Sequence, residues 1–193
     1  PKIAISAASI PNKALTWNIA ATFTTQKGRT HQQKAETFAR LNLYKLAADE
    51  LAFAVAADAK RPEQYAELAR WRLRAGQYDQ LASLMRQQFL YWILFGNDDV
   101  PDEFFRLAYP PAFENIVSAH ADKAMPAPII YGIMLAESLL DPAIISPAGA
   151  IGLMQLMPAT GSRLAATLGR PAPSPEVHLQ PDTEPPLGAP DLT

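Results

Sequence analysis

The chain has 193 residues, of which 49% are hydrophobic and 19% are charged, and its formal net charge is −2. This size and composition are typical of a folded protein with one ordinary domain or two small ones, and they argue against a disordered chain. The nearly balanced charge gives no reason to expect a nucleic-acid partner. The absence of cysteine excludes disulfides, thiolate metal sites and cysteine nucleophiles.

No cofactor is expected from the residue types present. His31, His120 and His178 stand far apart and lack the spacing of metal ligands. No run reaches the ~18 apolar residues of a membrane span, so no transmembrane segment is predicted. The start of the chain lacks an initiator Met and has a weak apolar patch, which does not predict a signal peptide. Either the mature protein begins there or the chain is a fragment.

Helical periodicity dominates the first hundred residues. Residues 1–30 show no sustained period and predict at most a short helix over 15–23. From about residue 31, apolar residues recur at i, i+3, i+4 spacing in three successive stripes. The stripes are Leu43, Leu46, Ala47, Leu51, Ala54 and Val55; then Tyr65, Leu68, Ala69 and Arg72 or Leu73; then Leu81, Leu84, Met85, Phe89, Trp92 and Ile93. Pro62 suits the first turn of the middle helix, and Gly76 suits its end.

A shift of 34 residues superposes part of this pattern on itself. The matched pairs are Ala35 and Ala69, Arg40 and Arg74, Tyr44 and Tyr78, Ala48 and Ala82, and Leu51 and Met85. Helix pairs with this period are typical of tetratricopeptide-like repeats, although ordinary helical hairpins would also share small residues at their contacts. Both interpretations are open. We predict a helical array over residues 1–100, poorly defined over 1–30, with a surface that would suit a protein partner.

Glu137 stands out in the next part of the chain. Between Lys123 and Arg163 the charged residues are Glu137 and Asp141 alone. Asp141 precedes Pro142, where a helix would end, so a capping or solvated role explains it. Glu137 has no such local explanation.

The helix that carries Glu137 is predicted to begin near the prolines at 126 and 128 and to end at about Leu140. The carboxylate of Glu137 shares a face of this helix with Ile130, Ile133 and Met134. The other faces are apolar too, so the helix should be buried. Burial disfavours a charged carboxylate, and a carboxylic acid that stays protonated can donate its proton to a leaving group. The alternative is a structural Glu bonded to a nearby hydroxyl or backbone group.

A turn of small residues follows over 146–152, and it leads through LMQLMP into another helix. Gly149 and Gly152 allow the backbone to approach a ligand closely, or to adopt φ values that other residues avoid. Gln155 is a neutral donor and acceptor that suits an amide or a hydroxyl. The methionines by themselves would be core residues.

Two stretches of the sequence resemble the catalytic signature of the soluble-type lytic transglycosylases, which carry a transglycosylase SLT domain. They are Glu137-Ser138 and, at matching distance, SPAGAIGLMQLMPAT over 146–160. YPPAF at 109–113 is similar to the segment leading into that domain, and the upstream helices resemble the superhelix of the large members. The resemblance implies a mainly α fold, with a helical-hairpin (superhelix or tetratricopeptide-like) array followed by a partial lysozyme-like catalytic domain. That core is expected over 101–170.

The resemblance implies cleavage of the bond from N-acetylmuramic acid to N-acetylglucosamine in peptidoglycan glycan strands. Glu137 matches the single catalytic acid, which protonates the glycosidic oxygen and then acts as base while the muramic 6-hydroxyl attacks C1, giving a 1,6-anhydro product. Ser146, Met154 and Gln155 match positions that line the substrate groove. The implied location is the periplasm or cell envelope. An inactive glycan-binding or helical interaction module, and a hydrolytic muramidase, are the alternatives.

The sequence departs from the family pattern after the second motif. Gly161 stands where Ala is usual, and residues 179–192 lack most of the positions expected in the next family helix. Seven of the eighteen prolines lie in 171–193, which predicts an extended Pro-rich tail. The family's later Ala-Tyr-Asn-Ala-Gly-like motif is not reached, so the catalytic core is expected to be incomplete.

Overall fold

The computed structural model of the chain describes residues 17, 19–96 and 100–169, and the predicted tail lies outside them. The fold is mainly α, as predicted. The helices of the described part are α1 (Gln26–Arg40), α2 (Tyr44–Ala56), α3 (Pro62–Ala75), α4 (Tyr78–Phe95), α5 (Asp102–Ala108), α6 (Glu114–His120), α7 (Ala127–Ser138) and α8 (Pro158–Thr167). None of these helices is long and apolar enough to cross a membrane.

The chain divides into two compact units between Pro110 and Pro111. The first unit contains α1 to α5, and the second contains α6 to α8. Helix α5 contributes Phe104 and Leu107 to the core of the first unit. The boundary therefore lies after α5, whereas the sequence analysis placed residues 101–110 in the second domain.

The helices of the first unit pack in chain order, α1 on α2, α2 on α3, α3 on α4 and α4 on α5. Their inward faces follow from the apolar stripes of the sequence. The buried members are Ala47, Leu51, Ala54, Val55, Leu68, Ala69, Leu81, Leu84, Met85 and Phe89. The first stripe was predicted too wide: Leu43 and Leu46 are exposed, because Leu43 precedes α2 as its N-cap and Leu46 lies away from the buried face.

The turns inside the two helix pairs have the same backbone conformation. Asn42 and Gly76 lie 34 residues apart and both are left-handed, with φ of 59° and 67°. The next residues, Leu43 and Gln77, are the N-caps of α2 and α4, with φ and ψ of −86° and 59° for the first and −84° and 64° for the second. Equal turn geometry at the sequence period favours the repeat interpretation over unrelated hairpins.

Trp17 anchors the chain before α1 in the core of the first unit. Its side chain is 2% exposed, and its ring meets Phe89 and Phe104 edge-on at centroid distances of 5.4 and 5.0 Å. Its indole N–H donates to Glu103 at 2.8 Å, and Arg70 donates two bonds of 2.9 Å to the same carboxylate. These bonds, those from Arg70 first, lower the pKa of Glu103.

Asp58 joins the beginning of α1 to the connection between α2 and α3. Its carboxylate accepts backbone N–H bonds from Thr24, Thr25 and Ala59 at 2.7 to 2.8 Å, and a side-chain bond from Gln64 at 3.0 Å. The N–H of Thr25, then that of Ala59, holds the pKa of Asp58 well below its ordinary range. The charged carboxylate thus stabilises the first unit.

The stability of the first unit should fall in acid through Asp58. A carboxyl pKa that is lower in the folded than in the unfolded chain stabilises the fold above about pH 4 and loses this effect as the pH falls further. Asp58→Asn should lower the unfolding temperature at neutral pH and flatten its decline between about pH 5 and pH 2. Thermal unfolding followed by tryptophan fluorescence measures both effects.

Glu36→Gln is the matched control, because the carboxylate of Glu36 makes a solvent-accessible 3.8 Å ion pair with Arg40 and accepts one 3.1 Å bond from the Gln32 amide, which a glutamine oxygen can also accept. This variant should keep the parental pH dependence. The contribution of Glu103 should persist in both variants. A pH dependence in Asp58→Asn as steep as that of the parent would contradict the assignment.

Gly76 provides a second prediction, since it ends α3 in the left-handed region and a Cβ at this position would contact nothing within 4 Å. Gly76→Ala should therefore destabilise by backbone strain alone, by about 1 kcal/mol. Gly132 lies inside α7, where a Cβ also contacts nothing. Gly132→Ala should stabilise by about 0.5–1 kcal/mol through helix propensity. Urea unfolding of both variants tests the contrast, and effects of the same sign would refute it.

Candidate functional site

Glu137 is the penultimate residue of α7, and its side chain is exposed. Helix α7 begins after Pro126, with a proline in its first turn as expected, but it ends at Ser138 rather than at about Leu140. The carboxylate of Glu137 accepts no hydrogen bond from the residues that the structure describes and forms no ion pair with them. Glu137 is therefore accessible from solvent.

The predicted burial of α7 is wrong. Met134 and Ser138 are its buried residues, whereas Ile129 is 52% exposed. Within the described part of the second unit α7 packs against α6, and its remaining residues are half-buried or exposed. Apolar composition on all faces predicted a buried helix, but composition does not determine which elements pack around it.

The carboxylates of the second unit have different local roles. Asp141 accepts a 2.8 Å bond from the backbone N–H two residues later, in a turn that follows α7 rather than as a helix cap, and Asp122 accepts two backbone bonds at 2.8 and 2.6 Å. Glu114 occupies the first turn of α6, where a negative charge is favourable. Glu137 has no comparable structural role among the described residues. Its exposed carboxylate is engaged neither in a turn nor at a helix N-terminus.

The end of α7 is held by the carbonyl group of Met134. The Ser138 hydroxyl donates to this oxygen at 2.8 Å, the Leu139 N–H also donates to it, and the Leu140 N–H does so at 3.4 Å. Leu139 and Leu140 are both left-handed, with φ of 52° and 66°. Leucine avoids this region at a cost of about 1–2 kcal/mol per residue. Leu140 is 2% exposed, so burial of its side chain helps to offset that cost.

Ser146 begins a tight turn in the segment between α7 and α8. Its hydroxyl accepts a bond from the Ala150 N–H at 3.0 Å, and its own N–H donates to the Ala150 carbonyl at 2.9 Å. Gly149 has a φ of 85°, which the turn requires. Antiparallel bridges of Ile151 with Ile145 and with Leu156 close the segment, which we call the loop 144–156.

Gln155 lies in the second turn of the loop 144–156 and has a φ of 47°. Its side-chain amide donates to the carbonyls of Gly152 at 3.0 Å and Ile144 at 3.3 Å. Met154 precedes it with 36% of its side chain exposed. The structure thus brings Ser146, Met154 and Gln155 into one loop, directly after the helix that carries Glu137.

Sequence reasoning missed the backbone at Leu139 and Leu140 and the donor role of Gln155. Asp141-Pro142 marks the end of a helix to within a few residues, but no sequence signal predicts two left-handed leucines. Gln155 was identified by its residue type and by the resemblance to the family motif, and neither reveals its hydrogen-bond partners. Within the described residues no three His, Asp or Glu side chains cluster so as to hold a metal ion.

Residues 114–189 match the sequence model of the family described as the Transglycosylase SLT domain. This segment contains α6 to α8 and every predicted site residue. The match confirms the predicted resemblance to soluble lytic transglycosylases for this part of the chain. No curated protein matches.

Two solved structures share the fold. The 70 kDa soluble lytic transglycosylase from Escherichia coli is 22% identical, with a TM-score of 0.57 over 88% of this chain and 26% of that chain. A complex of the 70-kDa soluble lytic transglycosylase with bulgecin A is 23% identical, with a TM-score of 0.58 over 86% of this chain and 25% of that one. The present chain thus spans about a quarter of the length of these proteins.

The two leucines after α7 provide a matched test of how this end of the helix is stabilised. Both are left-handed, so alanine at either position keeps the backbone cost, while the buried area lost differs. Leu140→Ala should lower the free energy of unfolding by about 2–5 kcal/mol, as for a buried leucine. Leu139→Ala, at a half-buried side chain, should cost less than half as much. Equal losses in urea unfolding would contradict a role for Leu140 as the anchor.

Proposed function

We propose that this chain is a peptidoglycan lytic transglycosylase in which Glu137 is the catalytic acid and base. The observation that carries the proposal is the state of Glu137, an exposed carboxylate free of structural hydrogen bonds from the described residues, inside the segment that matches the SLT family. Ser138 and Leu140, which follow it and are buried, hold this end of α7 in place. A general acid needs both access to the substrate and a fixed position.

In the proposed reaction the Glu137 carboxyl donates its proton to the glycosidic oxygen between N-acetylmuramic acid and N-acetylglucosamine. As the C1–O bond breaks, positive charge develops at C1 of the muramic residue. The muramic 6-hydroxyl then attacks C1 and gives its proton to the Glu137 carboxylate. The product ends in a 1,6-anhydro ring, and no water is consumed.

An exposed carboxylate can serve as the acid because the substrate changes its surroundings. A glycan strand bound over α7 would displace water from Glu137, and desolvation favours the protonated form of a carboxyl group. The exposed apolar side chains of α7 and the loop 144–156, including Ile129 and Met154, would supply an apolar surface for the glycan strand. Desolvation by substrate thus replaces the burial within the fold that the sequence suggested.

A single acid distinguishes this proposal from ordinary glycoside hydrolysis, which uses two carboxylates. Among the described carboxylates of this unit, those of Asp122 and Asp141 accept turn hydrogen bonds, and Glu114 lies at the start of a different helix, α6. Internal attack by the 6-hydroxyl needs no second carboxylate. These observations favour the transglycosylase over a hydrolytic muramidase.

Ser146, Met154 and Gln155 are proposed to contact the glycan beside Glu137. Met154 offers an exposed apolar surface for a sugar ring, and the Oε1 atom of Gln155 accepts no bond from the described residues. Peptidoglycan strands would be the substrate, which places the protein in the periplasm or cell envelope. The helical array of the first unit is proposed to bind a protein partner.

Glu137→Gln is the direct test of the acid. A positioned general acid contributes about 10² to 10⁴ in rate, so the variant should release anhydro-muropeptides from purified sacculi at least about a hundredfold more slowly. Mass spectrometry should identify products lighter by one water than those of lysozyme. The circular dichroism spectrum and unfolding temperature should match those of the parent, since the replaced carboxylate makes no bond among the described residues.

Asp141→Asn is the matched control, because asparagine keeps an oxygen that can accept the same backbone bond. It should retain nearly parental activity. Wild-type rates in Glu137→Gln would exclude Glu137 as the acid, and reducing-end products would indicate a muramidase. Sacculi that pellet the chain without releasing product would identify a glycan-binding module instead.

A further inference from the structure

We propose that Gln155 is a positioning residue, whose side-chain N–H groups hold the loop 144–156 in the shape that presents Ser146 and Met154. This role rests on the proposed function, because the loop matters for catalysis only if a glycan binds beside Glu137. It differs from a substrate contact, since the donor atom of Gln155 is already engaged within the protein. The side chain then offers a glycan only its acceptor, Oε1.

The carbonyl of Ile144 is the point on which the two turns of the loop converge. It accepts the backbone N–H of Gly152 at 3.0 Å and the side-chain amide of Gln155 at 3.3 Å. The amide of Gln155 also reaches the Gly152 carbonyl at 3.0 Å, beside its own backbone bond to that oxygen at 3.1 Å. One carboxamide thus ties the first residue of the loop to the second turn.

The backbone conformation of Gln155 gives independent support. Its φ of 47° lies in the region that favours glycine, yet the position holds a long polar side chain. The left-handed backbone brings the carboxamide back over the turn, where both carbonyls lie within reach. Strain of this kind persists where surrounding contacts hold it, and here the side chain's own hydrogen bonds provide them.

Ser146 depends on the same arrangement. Its hydroxyl and backbone N–H are both bonded to Ala150, which closes the Ser146 turn. The backbone bond from Gly152 to the Ile144 carbonyl connects the two ends of this turn. Loss of the Gln155 amide would leave one backbone bond at the Ile144 carbonyl and widen the loop. A displacement of about 1 Å in a residue that positions the substrate can reduce the rate by about a hundredfold.

Hydrogen exchange of the full chain without glycan tests the clamp directly. Gln155→Glu keeps the size and acceptors of the side chain but removes the N–H donors, and Gln155→Met removes both. The backbone amides of Ala150 and Gly152 should exchange about tenfold faster in both variants, because the loop opens more often once the side-chain bonds are lost. The amides of α7 should be unaffected, as should those of the control Ser162→Ala on the exposed face of α8.

Product release from sacculi provides the second readout. Both Gln155 variants should lower kcat by about 10- to 100-fold, with KM changed far less. Parental exchange in Gln155→Glu would overturn the clamp whatever the activity. Accelerated exchange with parental kcat and parental sacculus binding would overturn its positioning role. An inactive parent would refute the proposed function, while the exchange data and sacculus pelleting would still decide for or against Gln155.

Discussion

The structure around Glu137 depends on one carbonyl group, that of Met134. Three donors converge on it, the Ser138 hydroxyl and the backbone N–H groups of Leu139 and Leu140, and together they end α7 one residue after Glu137. An α-helix that continued would carry the chain away along its axis. The left-handed leucines instead turn the backbone sharply, and the loop 144–156 begins only a few residues later. The placement of the Glu137 carboxylate and the course of the loop therefore share one cause.

The first unit is organised by repetition. Two helix pairs share a turn in which a left-handed residue is followed by an N-cap of nearly equal φ and ψ, at a spacing of 34 residues. Asn42 and Gly76 are the residue types that tolerate this backbone best. The apolar stripes of the two pairs contribute to one continuous core. This is the physical basis of a stacked helical array.

Much of the fold could be predicted from the sequence because its determinants are local. Apolar periodicity identified α2, α3 and α4, and Pro62 and Gly76 stand at the first turn and C-cap of α3 as expected. Trp17 could not be placed, since it donates to Glu103, 86 residues away, and packs on α4 and α5. The short helix expected over 15–23 is not formed at residues 19–23.

The residues proposed for the site could be named from the sequence, but their environment could not be predicted. Glu137 was found because one carboxylate interrupts a long apolar run, and the motif spacing identified Ser146, Met154 and Gln155. Its burial was predicted wrongly, because an apolar stretch can equally line a surface that a substrate covers. The hydrogen bonds of Gln155 depend on a left-handed backbone that no propensity predicts for glutamine.

The exposure of Glu137 and the hydrogen bonds of Gln155 are physically related. In the proposed function the glycan, rather than the described part of the fold, displaces water from Glu137. The loop 144–156, which is proposed to contact the glycan, must then hold its shape before the glycan binds. Ordering a loose loop would consume binding free energy that could otherwise distort the glycan. A loop held by its own backbone and by the carboxamide of Gln155 meets that requirement. The exposed carboxylate of Glu137 and a loop 144–156 that holds its shape before the glycan binds are thus the two parts of the proposed site.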